Sequence, residues 1–127
     1  MKCRETQFGD WCCNKHGFPM QITNVGEDYA YATWEGNEGD HWEFDDKDDQ
    51  PEPIPLTPEI LEKNGWKRNK IYMDMKAADY INFSWTDKCD ETLFQNRYYM
   101  CDCEYVHTLQ HALRLRGLDE LADNFKV

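Results

Sequence analysis

Apolar and polar residues alternate along the first third of the chain with the two-residue period of half-buried strands. Tyr29, Tyr31 and Thr33 fall on one face of YAYATW, and Ala30, Ala32 and Trp34 fall on the other. In PMQITNV the alternation runs through Met20 and Ile22 and slips toward Val25, which predicts a bulge or strand end. With DWCCN before, HWEF after, and the turns KHGF, GED and EGNEGD between, residues 10 to 44 predict a small, strongly bent antiparallel sheet or SH3-like barrel.

The pattern changes after residue 50. Pro51, Pro53 and Pro55 lack amide protons and push their predecessors away from helix, so DDKDDQPEP predicts an extended acidic linker. Thr57 is then placed as an N-cap, Pro58 as the first helical residue and Glu59 beside the positive dipole end. Leu56 and Leu61 have the spacing of a hydrophobic staple, and Gly65 predicts a left-handed stop that folds Trp66 back onto Leu61. KIYMDMK, DYINFSWT and ETLFQNRYYMC read as three strands; in the second, Tyr80, Asn82 and Ser84 oppose an apolar face of Ile81, Phe83 and Trp85. A longer helix is predicted from Cys103 to Arg116, capped by Asp102 and stopped by Gly117, with Val106, Leu109 and Leu113 inward and His107, His111 and Arg114 on the opposite side. The closing LDELADNFKV fits a helical turn or a short strand. The expectation is one α+β domain over residues 1 to 127: a barrel-like sheet and acidic segment to residue 50, then a short helix, further antiparallel strands and a C-terminal helix.

Charge sharpens this picture. The net charge is −11, and residues 35 to 52 hold nine carboxylates against one lysine. Such a chain repels phosphate backbones and anionic lipid, which argues against direct nucleic-acid or membrane binding. No apolar run approaches a membrane span or a signal peptide, so a cytoplasmic protein with mostly reduced cysteines is expected.

Three constellations invite chemistry. Cys101, Cys103, His107 and His111 could supply a tetrahedral zinc site, although a Cys-x-Cys pair capped by Asp102 would diverge. Cys12 or Cys13 beside His16 has the composition of a nucleophile and base, without an orienting acid or oxyanion loop, and buried apolar thiols are the simpler expectation. Asp45, Asp46, Asp48 and Asp49 lack the central glycine and terminal glutamate of a calcium loop. Around them, Trp34, Trp42, Glu35, Glu38, Asp40 and Glu43 interleave rings with acid. Together with the four aspartates they are the candidate contacts for a basic protein surface, in which rings anchor and carboxylates steer. No phosphate-cradling loop, serine elbow or kinase signature occurs.

PEPIPLTPEILEKNGW at residues 51 to 66, EYVHTLQHALRLRGLDEL at residues 104 to 121, and Gly9, Asp10 and Trp11 near the start together resemble a group of small phage and prophage proteins of gut Bacteroidetes. The resemblance implies the same order of elements and brings no reaction, cofactor or ligand. His111 stands where that group would carry a different polar residue, which weakens the zinc reading. The expected function is therefore that of a non-enzymatic acidic binding protein, without a cofactor, that engages a basic host or phage protein in the manner of a DNA-mimic inhibitor. The alternatives are a zinc protein and a small-molecule binder whose pocket would be lined by Trp85, Tyr98, Tyr99 and Tyr105.

Overall fold

The computed structural model describes residues 1–36, 39–68, 72–74, 82–86, 89–95, 100–102 and 104–127, and between residues 68 and 103 it describes backbone strands alone. The protein is α+β, and the chain gathers into two compact units, Met1–Ile54 with Val106–Asn124, and Pro55–Tyr105 with Phe125–Val127.

The first unit holds an antiparallel sheet in the order β1 (Trp11–Cys13), β2 (Pro19–Val25), β3 (Tyr29–Thr33) and β4 (Trp42–Asp45). Each strand lies where the alternation predicts it, and the slip in β2 is a register shift between Ile22 and Asn24. Ala32 pairs with Ile22 on one side and Trp42 on the other, while Ala30 pairs with Phe44. Small residues on the central strand leave room for these large neighbours, and Cys3, Cys12, Met20, Ile22, Ala30, Ala32 and Phe44 close into a buried cluster. Burying Ile22 and Phe44 contributes about 2 kcal/mol each.

The sheet is open, not closed as an SH3-like barrel: β1 and β4 are its edges. Edge β1 is occupied in another way. The backbone of Cys13 exchanges two hydrogen bonds with Glu52, at 2.8 and 2.9 Å, and the Trp11 N–H donates to the side chain of Gln110 at 2.9 Å. These bonds use the groups that barrel closure would require.

The acidic segment is a turn at its start, and not an extended linker throughout. The Asp45 carboxylate accepts the N–H groups of Lys47 and Asp48, at 3.0 and 2.7 Å, and folds the chain back so that Asp45 and Asp49 pair through their backbones.

Two helices complete this unit, α2 (Val106–Leu115) and α3 (Asp119–Asp123), so the closing segment is helical. Helix α2 begins three residues later than predicted, because Asp102 belongs to a strand and pairs with Leu93. The Val106 N–H goes to the Ile54 carbonyl at 2.9 Å. Gly117, at φ +76°, ends α2, with its own N–H on Arg114 and that of Leu118 on Leu113. Val106, Leu109 and Leu113 are buried as expected, and Gln110 is buried with them.

In the second unit, α1 (Pro58–Lys63) follows its sequence signals closely. Thr57 Oγ1 accepts the Ile60 N–H at 3.2 Å, and the N–H groups of Gly65 and Trp66 close on Glu62 and Leu61. Trp66 is buried against Phe125, ring centroids 6.4 Å apart. Where three strands are predicted, five form a meander: β5 (Lys67–Arg68), β6 (Tyr72–Asp74), β7 (Asn82–Thr86), β8 (Cys89–Gln95) and β9 (Met100–Asp102). ETLFQNRYYMC divides because β8 and β9 run antiparallel to one another, Leu93 opposite Asp102.

Candidate functional site

Pairing of β3 with β4 sets Tyr29 opposite Asp45 and Tyr31 opposite Glu43. With Ala30, Ala32 and Phe44 buried on one face, the two-residue period turns these four side chains to the other face. The rings of Tyr29 and Tyr31 stand 5.4 Å apart, and His41 extends the row at 4.9 Å from Tyr31. His41 also lies 3.5 Å from the Glu43 carboxylate. Tyr29, His41 and Glu43 are exposed, so an aromatic row bordered by carboxylates faces solvent. Opposite charges beside aromatic faces suit a guanidinium or ammonium group, which gains ion pairing and cation–π contact together.

The candidate residues divide on this sheet. Trp34 and Trp42 pack against the buried cluster and so serve the core. Glu35 and Asp40 are exposed in the connection before β4, and Glu38 lies outside the described residues. Asp46 accepts the Cys3 N–H at 2.7 Å, which holds its carboxyl below the usual range. Asp49 accepts the Trp42 indole N–H at 2.9 Å. Asp45, Asp46 and Asp49 thus build the turn, whereas Asp48 is exposed at its tip. The Asp46 N–H donates to Asp28 at 3.0 Å, joining this turn to the exposed Glu27 and Asp28 of the β2–β3 turn. A shallow depression of about 510 Å³ beside it is lined by lysines as well as acids, a mixed wall unlike the largely apolar lining of small-molecule sites.

A second polar constellation lies at the α2 side of the sheet. Asp10 is fully buried; its Oδ1 accepts from Arg114 at 2.7 Å, and its Oδ2 accepts the Gln7 N–H at 2.8 Å and lies 2.6 Å from His111 Nε2. Arg114 also reaches Gln7 Oε1 at 3.0 Å and Asp123 at 3.4 Å. Gly9, at φ +88°, permits this closure, since a Cβ there would meet Arg114 and Asp123 at 3.0 Å. His111 and Arg114 are thus partners of a buried carboxylate and only partly exposed. His107 stacks edge-on to His111 at 5.6 Å, and burial holds its pKa below the ordinary imidazole value. A buried carboxylate with these three polar partners is well satisfied, and this cluster reads as structure.

The thiols of Cys3, Cys12 and Cys13 do not support nucleophilic chemistry. Burial pushes Cys3 up to about 12, with the Asp46 carboxylate adding to the effect, and burial raises Cys12 and Cys13 as well. His16 packs on Trp42, ring centroids 6.3 Å apart. Of the zinc candidates, Cys103 lies outside the described residues and Cys101 is described only as part of β9, while His111 Nε2 is engaged by Asp10. No group of three or more metal-ligating side chains occurs among the described residues. Tyr98 and Tyr99 lie outside the described residues, and the side chain of Trp85 is not described.

Alternation in YAYATW already marks Tyr29 and Tyr31 as facing one way, but joining them to Glu43 and His41 needs the β3–β4 register. No family model, curated protein or solved structure matches this chain. Among the described residues no helix is long and apolar enough to cross a membrane.

Proposed function

We propose that this protein is a non-enzymatic acidic binding protein, of mobile-element origin and acting in the cytoplasm, that engages a basic protein through the outward face of β3 and β4. The carrying observation is the juxtaposition of Tyr29, Tyr31 and His41 with Glu43 on one exposed face, in a chain of net charge −11. The rings supply area with little side-chain freedom to lose, and the carboxylates steer the approach of a cationic partner. The acids of both turns extend the negative rim, which is the continuity a nucleic-acid mimic would need.

Binding of an arginine-rich peptide, measured by calorimetry at low salt, tests this reading. Glu43→Lys should weaken it about tenfold or more, whereas Glu120→Lys on exposed α3 should weaken it by about twofold at most. Equal losses in the two variants would mean that net charge alone attracts the peptide, and the proposed face would have no standing.

A further inference from the structure

The two edges of the first sheet are finished differently. Along β1 the outward backbone groups of Trp11 and Cys13 are engaged by Gln110 and Glu52. Along β4 the pattern follows from one bond: the Asp46 N–H reaches across to Asp28. Antiparallel ladders alternate, so Phe44 and Trp42 also bond toward β3, while Asp45 and Glu43 turn their N–H and C=O away from it. Asp45 spends both groups on Asp49. Among the described residues nothing pairs the N–H or C=O of Glu43, and the His41 N–H is taken by the Asp40 side chain at 2.8 Å. The open edge is therefore short, closed at one end by the acidic turn, and centred on Glu43.

We infer that this edge receives an extended, arginine- or lysine-bearing segment of the partner as an added antiparallel strand, paired through the backbone of Glu43. The inference rests on the binding face proposed above and states how that face is read. Geometry dictates the partner's pattern. A residue that exchanges both backbone bonds with Glu43 stands directly opposite it, and its side chain emerges on the same face, beside Glu43, Tyr31 and His41. That position suits a cation on grounds of charge, and the next residue on either side points away from the row. The motif is thus an alternating one, cationic at every second position, whose N–H groups at the cationic positions are the ones bonded.

A ten-residue peptide alternating arginine with threonine, and two N-methylated forms of it, test the mode on the wild-type protein. Methylating the arginine amides removes the donors aimed at Glu43 and should weaken binding about tenfold or more, whereas methylating the threonine amides should change it by about threefold at most. The Glu43 amide should also gain protection from hydrogen exchange only with the peptides that bind. Equal affinity of all three peptides would overturn strand addition while leaving the acidic face as the binding surface. Absence of measurable binding by the unmodified peptide at low salt would overturn both. Loss on methylating threonine and not arginine would reverse the assigned pairing and contradict the inference.

Discussion

The side chain of Gln110 finishes the edge of β1 by accepting the Trp11 N–H at 2.9 Å. Its amide nitrogen donates in turn to the carbonyls of Gly9 at 2.8 Å and Ala122 at 2.9 Å. A buried glutamine with one bond accepted and two donated thus ties helix α2 to the sheet and to α3, much as a neighbouring strand would.

Gln110→Ala should therefore cost about 2 kcal/mol, since three hydrogen bonds are lost at once, while the Gly9 carbonyl keeps the Gln21 amide at 3.1 Å and the Ala122 carbonyl keeps the Asn124 N–H. Urea unfolding measures it, and a loss below about 1 kcal/mol would show that water replaces the amide readily.

Replacing Asp10 takes the shorter of two carboxylate contacts from Arg114. Asp10→Asn should destabilise by about 3 kcal/mol, because the largely enclosed guanidinium keeps Asp123, at 3.4 Å, as its remaining carboxylate. In a double-mutant cycle with Arg114→Met the two losses should fail to add by more than about 1 kcal/mol; strict additivity would show that the pair is not coupled.

Burial, ahead of the opposing pull of Asp10 and the repulsion of His111, keeps His107 below its ordinary pKa of 6.5. The unfolded chain consequently takes up this proton first as pH falls. The contribution is fully present above about 6.5 and is lost as pH drops through the lowered folded value. His107→Gln should flatten that limb of the stability profile, and an unchanged acid slope would contradict the assignment.

Gly26 faces the ring of Tyr29 so closely that a Cβ would meet its Cε1 at 2.1 Å. Its φ is not left-handed, so the backbone of Gly26→Ala is unstrained and the displaced element is the ring itself. The variant should fold, lose the ring-current shifts between Tyr29 and Tyr31, and bind the arginine-rich peptide more weakly; unchanged aromatic resonances would count against the contact.

What could be read in the chain, and what could not, follows the range of the interactions. The cap at Thr57, the stop at Gly65 and the alternation through Ala30 and Ala32 are local, and the structure repeats them. The bond from Trp11 to Gln110 spans 99 residues and that from Arg114 to Asp10 spans 104, so no periodicity announces either. Gln110 sits next to Leu109 in a helical pattern that describes only where apolar residues fall. The acidic run reads as extended in sequence for a different reason: its prolines lie after residue 50, while the turn is made earlier by the carboxylate of Asp45 on the amides of Lys47 and Asp48. For the proposed face, the run of acids is conspicuous in the sequence and the tyrosine row is not, because Trp34 and Trp42 are the aromatics that stand out beside the acids and both pack against the core. Register, not composition, brings Tyr31 to Glu43.

The most direct measurement is chemical-shift mapping of the isotope-labelled protein during titration with the arginine–threonine peptide at low salt. Saturable shifts concentrated on Tyr29, Tyr31, His41 and Glu43, and abolished above about 0.5 M salt where screening is strong, are the expected result. Shifts spread over all exposed carboxylates, or gathered on α3 with the β3–β4 face unmoved, would contradict the account.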